Sequence, residues 1–130
     1  GEWLRYPQNS DHMPLVQSLQ GHGTGWCTAG ESTAKIQLQG GVFYAYYSYG
    51  KDHKSGKPTN PRVAIRMQKS NIAEVRGIAP EQNLDPHIGK VVETKLAEFP
   101  DGKAYQKKSD DMKRLTGMEK RIRAGGLGKV

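Results

Sequence analysis

Two strand-like stretches separated by a glycine- and proline-rich connection constrain this chain more than any other feature. Residues 42–49 read VFYAYYSY, and residues 62–68 read RVAIRMQ, which sets Val63, Ile65 and Met67 against Arg62, Ala64 and Arg66. Side chains on a strand point alternately to opposite faces, so alternation of this kind fits a half-buried strand, and aromatic and β-branched residues favour the same geometry. The connection GKDHKSGKPTNP is polar and turn-forming, which predicts a long hairpin loop. After Gln68 the short KSN turn leads into IAEVRGIA, a third strand. The expected sheet is a three-stranded antiparallel meander.

Helices are expected around it. Pro14 suits a first helical position and Gly21 the residue past an end, which predicts a short helix over 14–19. The segment GHGTGWCTAGES then reads as a shaped loop. Thr28 with Glu31 three residues on has the spacing of a capping box, predicting a helix over 29–39 that Gly40 and Gly41 stop. Asp85 and Pro86 open a longer helix whose Ile88, Val91, Val92, Leu96 and Phe99 recur on one face, with Pro100 as its end. Ser109, Asp110 and Asp111 start a last helix, with Met112, Leu115, Met118 and Ile122 as a narrow apolar stripe and GGLGKV as a fraying end. The fold class is α+β, in which the meander is packed by a short N-terminal helix, a Gly-loop-capped helix and a long amphipathic helix. Residues 1–102 are expected to form one globular domain, and 103–130 a basic C-terminal helix and tail.

The charge is concentrated in that tail. Residues 103–130 hold nine Lys or Arg against three Asp or Glu, a balance of +6, while residues 1–102 hold eleven against ten. Lys113, Arg114, Lys120, Arg121 and Arg123 are the candidate contacts to an anionic partner, nucleic acid first among them. With 35% hydrophobic residues and no apolar run near 18 residues, the chain lacks a membrane-spanning segment. It is expected to be soluble, cytoplasmic and not membrane-associated. One cysteine excludes an intramolecular disulfide and a cysteine-rich zinc site. The histidines at 12, 22, 53 and 87 have no ligand spacing, so neither a bound metal nor a resident cofactor is expected.

Cys27 is the first candidate for chemistry, because a cysteine just ahead of a capped helix has backbone N–H groups and the helix dipole to stabilise a thiolate. A small thiol-dependent enzyme would use Cys27 as nucleophile, with His22, His53 or His87 as base, Thr28 beside it and the 23–28 amides as oxyanion donors. The alternative is a buried structural thiol beside Trp26.

Two resemblances bear on the same loop. His22, Gly23 and Thr24, followed by a helix and a strand, are similar to the first motif of the diphtheria-toxin class of ADP-ribosyltransferases. That resemblance implies an NAD ribose contact at His22, a tyrosine from among Tyr44, Tyr46 and Tyr47, and a catalytic Glu74 or Glu93. The string GTGWCTAG, followed by an aromatic strand, resembles a motif of uncharacterised domains in large phage and bacterial mobile-element proteins. It spans 21–79, with Trp26, Cys27 and Thr28 carrying it, and implies a site near that turn and a piece of a larger polypeptide.

A further constellation lies on the strands. Tyr44 with Tyr46, Arg62 with Arg66, and Glu74 with Arg76 are each two residues apart and so share a side of their own strand. If the register aligns the three pairs, they form a Tyr/Arg face of the kind that stacks bases and pairs phosphates, extended by Lys51, Lys54 and Lys57. The preferred expectation is therefore a nucleic-acid-binding or nucleic-acid-processing module. The thiol enzyme, an ADP-ribosyltransferase-like domain and a protein-interaction domain are the alternatives.

Overall fold

The computed structural model describes residues 1–51, 58–78, 84 and 86–109, of which 49–51 and 58 are described by their backbone alone. The last helix anticipated after Ser109, with Lys113, Arg114, Lys120, Arg121 and Arg123, lies outside the described residues, as do His53, Lys54 and Lys57. The chain divides into two compact units, Gly1–Asn83 and Leu84–Val130. Among the described residues no helix is long and apolar enough to cross a membrane.

The first unit is α+β. Its strands β1 (Glu2–Tyr6), β2 (Phe43–Lys51), β3 (Pro58–Gln68) and β4 (Asn71–Arg76) form one antiparallel sheet in the order β1-β2-β3-β4. The meander therefore has four strands, not three. EWLRY joins it by pairing Trp3 with Tyr46 and Arg5 with Tyr44, a long-range contact that five residues of local sequence do not announce. Helix α1 (Met13–Leu19) and helix α2 (Glu31–Gly40) come between β1 and β2, with a single 3-10 turn at Cys27–Ala29 before α2.

Register assigns the faces. Phe43 pairs with Arg66, Ala45 with Ala64, and Arg66 with Glu74, so these residues share the face on which α1 and α2 pack, with the 3-10 turn against both helices. Leu15, Leu19 and Leu38 from the helices meet Phe43, Ala45 and Tyr47 there as a buried cluster that Trp26 completes. The opposite face carries Tyr44 and Tyr46 beside the buried Ile65 and Val63. Met67, Ile72 and Val75 are buried as well. Ile72 and Val75 are three apart, which simple alternation forbids, but the β3–β4 register slips between Arg66 and Met67, where Ala73 is the extra residue.

Three hydroxyls are buried under the sheet. Tyr6 and Tyr47 lie 2.7 Å apart, Tyr47 donates to Ser18 Oγ at 2.7 Å, and Ser18 donates to the Leu15 carbonyl at 2.8 Å. The Tyr6–Ser18 separation is longer, 3.0 Å. Ser18 spends its own proton on Leu15, so the two phenolic protons fill the two short contacts in the direction Tyr6 to Tyr47 to Ser18. Buried hydroxyls thus fix α1 to β1 and β2 with every oxygen satisfied.

The β3–β4 turn carries Lys69 at φ 57°, in the left-handed region, between the paired Gln68 and Asn71. Asparagine tolerates that conformation better than lysine in a two-residue hairpin turn. Lys69→Asn is expected to raise stability by about 0.5–1 kcal/mol in a denaturant titration; no gain would mean that the turn relaxes freely.

The second unit holds α3 (Pro86–Leu96) and α4 (Gly102–Lys108). Ile88, Val92 and Leu96 of α3 are buried, as its periodicity predicts, whereas Val91 is half-buried and Phe99 lies past the helix, which ends at Leu96 and not at Pro100. Gly102 sits so close to Leu96 that a Cβ there would run into the Leu96 carbonyl.

Candidate functional site

The loop that leads into the 3-10 turn is shaped by glycine. Gly23 and Gly25 have φ of 65° and 76°, a conformation that other L-residues adopt at a penalty of about 1–2 kcal/mol. Between them Thr24 is buried and its Oγ1 accepts from the Trp26 N–H at 3.2 Å. The Trp26 indole N–H donates to the Gly77 carbonyl at 2.8 Å, and the ring meets Phe43 edge-on at 6.5 Å between centroids. Trp26 is thereby fixed against β2 and the end of β4.

This placement opens a cleft of about 80 Å³ lined by Trp26, Cys27 and Thr28 of the loop, Gln37 of α2, and Phe43, Ala64, Arg66, Glu74 and Arg76 of the sheet. Two groups that sequence kept apart, the Cys27–Thr28 turn and the Arg66, Glu74 and Arg76 side chains, converge in it. Glu74 lies between the two guanidinium groups, 3.7 Å from Arg66 Nε and 3.8 Å from Arg76 Nη1. Both separations exceed hydrogen-bond range, and all three side chains are partly exposed, so each pair contributes at most about 1 kcal/mol. Two cations around one anion leave the group with a net positive charge.

Three buried polar atoms on the cleft lining have no hydrogen-bond partner: Thr28 Oγ1, Gln37 Oε1 and Arg66 Nε. Thr28 is only 4% exposed. An unmatched buried polar group costs about 1–3 kcal/mol. Three such atoms belong to residues around one opening.

Thr28 and Glu31 do not form a capping box: α2 begins at Glu31 with Gly30 as its N-cap, and Thr28 Oγ1 bonds to nothing. Extended Gly30 (φ −93°, ψ 141°) separates the turn from the helix, and Thr28 of the turn lines the cleft. Cys27 accordingly opens a three-residue 3-10 turn, not the α2 N-terminus, and it is exposed, not a buried structural thiol. The Tyr/Arg face does not assemble. Tyr44 and Tyr46 sit opposite Ile65 and Val63, on the other side of the sheet from Arg66 and Arg76, and Tyr46 packs on Trp3 with ring centroids 5.4 Å apart. Arg62 falls at the register shift facing Tyr46 and Tyr47 and lies off the cleft.

The remaining candidates are dispersed. His22 is exposed on the glycine loop and does not line the cleft, His12 reaches Glu31 at 3.3 Å, and His87 is an exposed residue of α3. Among the described residues, therefore, no histidine lines the cleft beside Cys27. Of the residues the ADP-ribosyltransferase motif would enlist, Glu74 lines the cleft, while Tyr47 is fully buried in the hydroxyl chain and Glu93 belongs to α3. Gln37, Phe43 and Ala64 were not anticipated. Nothing in the sequence around Gln37 separates it from the other polar residues of α2.

No protein-family model, curated protein or solved structure matches the chain.

Proposed function

We propose that this protein is a nucleic-acid-binding module that contacts its ligand at the cleft between the glycine loop and strands β3 and β4. The observation that carries this reading is the pair Arg66 and Arg76 flanking Glu74 beside the Trp26 ring, with unmatched buried polar atoms next to them. Guanidinium groups pair phosphates and base edges, and an indole offers an apolar surface to a base. The excess charge of +6 on residues 103–130 adds long-range attraction for a polyanion. Single strands suit the cleft better than duplex, because an opening of this size takes one exposed group and not a stacked helix.

Fluorescence anisotropy with labelled single-stranded RNA, single-stranded DNA and duplex DNA tests the reading. Single strands are expected to bind most tightly, with affinity falling steeply between about 50 and about 200 mM salt. The double variant Arg66→Met with Arg76→Met is expected to bind at least tenfold more weakly while unfolding as cooperatively as the parent. Absence of binding at low salt, or equal binding by the double variant, would refute a nucleic-acid site in this cleft.

A further inference from the structure

The cleft presents hydrogen-bonding groups of both kinds. Arg66 and Arg76 only donate, Gln37 Oε1 and the Glu74 carboxylate only accept, and the Thr28 hydroxyl does either. A phosphate has no use for the acceptors, and a carboxylate in the middle of the site repels it. A ligand that satisfies the whole set must carry donors and acceptors close together on one edge. With Trp26 and Phe43 as apolar walls, that edge belongs to a flat ring.

We propose that the cleft takes the edge of one unpaired nucleobase, with guanine preferred. The proposal rests on the nucleic-acid reading above and names the part of the ligand that enters. On its Watson–Crick edge guanine sets one acceptor, O6, for a guanidinium donor beside two neighbouring donors, N1–H and the N2 amino group, for a carboxylate or an amide oxygen. Adenine and cytosine offer a single amino donor and uracil a single N–H, so each leaves a cleft acceptor unmatched. Leaving a buried polar partner unmatched is what makes such sites selective. A base that reaches this cleft must first be unstacked, which single strands allow at little cost. Thr28 is the residue that separates ligand recognition from folding, because its buried hydroxyl makes no bond within the protein.

Cys27 supplies the readout, being the chain's one cysteine, exposed, and part of the cleft lining. The rate of its alkylation by iodoacetamide is measured on the full chain with GMP, AMP, CMP, UMP, ribose 5-phosphate or inorganic phosphate at equal millimolar concentration. GMP is expected to slow alkylation several-fold more than the other nucleotides, and the two base-free phosphates to leave it unchanged. Thr28→Val is expected to weaken GMP protection about tenfold without loss of thermal stability. Protection by ribose 5-phosphate equal to that by GMP would overturn the proposal in favour of an anion site. Equal protection by all four nucleotides would overturn the guanine preference, and protection by none would overturn the base pocket. Salt-sensitive RNA binding without GMP protection would sink this inference alone, and GMP protection without RNA binding would sink the broader reading alone.

Discussion

Gly41→Ala is expected to destabilise the first unit by about 3 kcal/mol, the range of a forced overpacking in a close-packed interior. Gly41 is extended (φ 173°), so backbone conformation is no obstacle to alanine. The obstacle is contact, since a Cβ at this position would run into the Met67 carbonyl, and carbonyl groups of a paired strand cannot swing aside. Around that point the end of α2 is stitched to the sheet. Gly41 N–H bonds back to Gln37 O, Met67 N–H donates to Val42 O at 3.0 Å, and Lys69 N–H donates to Gly40 O at 2.8 Å. Any shift that makes room for the methyl must part α2 from β3 or bend the β3–β4 hairpin. Gln37 lies one helical turn before Gly41 and Arg66 one residue before Met67, so either shift also separates two of the cleft's unmatched polar groups. Gly40→Ala is the matched control: its Cβ would meet nothing within 4 Å, and alanine in the last turn of a helix is neutral or stabilising by up to about 1 kcal/mol. Urea titrations of the two variants distinguish the cases. Equal midpoints would show that the approach of Gly41 to β3 is not tight in solution.

The two glycines illustrate how far the sequence is legible. Both read as helix-stopping residues, but only the fold makes one of them irreplaceable. Strands β2 to β4 were visible because alternation and turn residues act over a few positions, and Val63, Ile65 and Met67 are buried as the pattern requires. Strand β1 was not, since its pairing partner lies some forty residues away and pairing, not local preference, makes it a strand. The Tyr/Arg face failed for a related reason. Alternation states which residues of one strand share a side, but the alignment of neighbouring strands is set by register and by the slips beside Tyr46 and Arg66. Thr28 and Glu31 satisfied a capping pattern that extended Gly30 breaks. Each cleft residue except Gln37, Phe43 and Ala64 stands out in the sequence by its type. Their meeting depends on left-handed glycines in one loop and on a strand register, neither of which a single sequence displays.

Tyr47→Phe is expected to lower stability at neutral pH by about 1–2 kcal/mol and to flatten the alkaline limb of the stability profile. Tyr47 is fully buried, and that burial, followed by the neighbouring Tyr6, pushes its phenol far above the usual tyrosine range; the bond to Ser18 opposes the shift and is outweighed. In the unfolded chain the same phenol ionises near pH 10. Above that pH the unfolded state has lost a proton that the folded state keeps, so ionisation favours unfolding. The stabilisation is complete below about pH 10 and falls by about 1.4 kcal/mol per pH unit above it, roughly 2.7 kcal/mol by pH 12. Phenylalanine has no proton to lose, and the variant's profile should be shallower by that slope, the two curves converging as pH rises. Urea midpoints from pH 8 to 11.5 measure the difference, and parallel profiles would mean that the Tyr47 phenol reaches water in the folded state. The consequence reaches the cleft through one layer of rings. Tyr6, which shares the hydroxyl chain, packs edge-on against Phe43 at 6.4 Å, and Phe43 in turn supports Trp26. A chain that loses Tyr47's hydrogen bond loosens the floor on which the candidate base would rest, so Tyr47→Phe should weaken nucleotide protection of Cys27 less than Thr28→Val does, while destabilising the fold more.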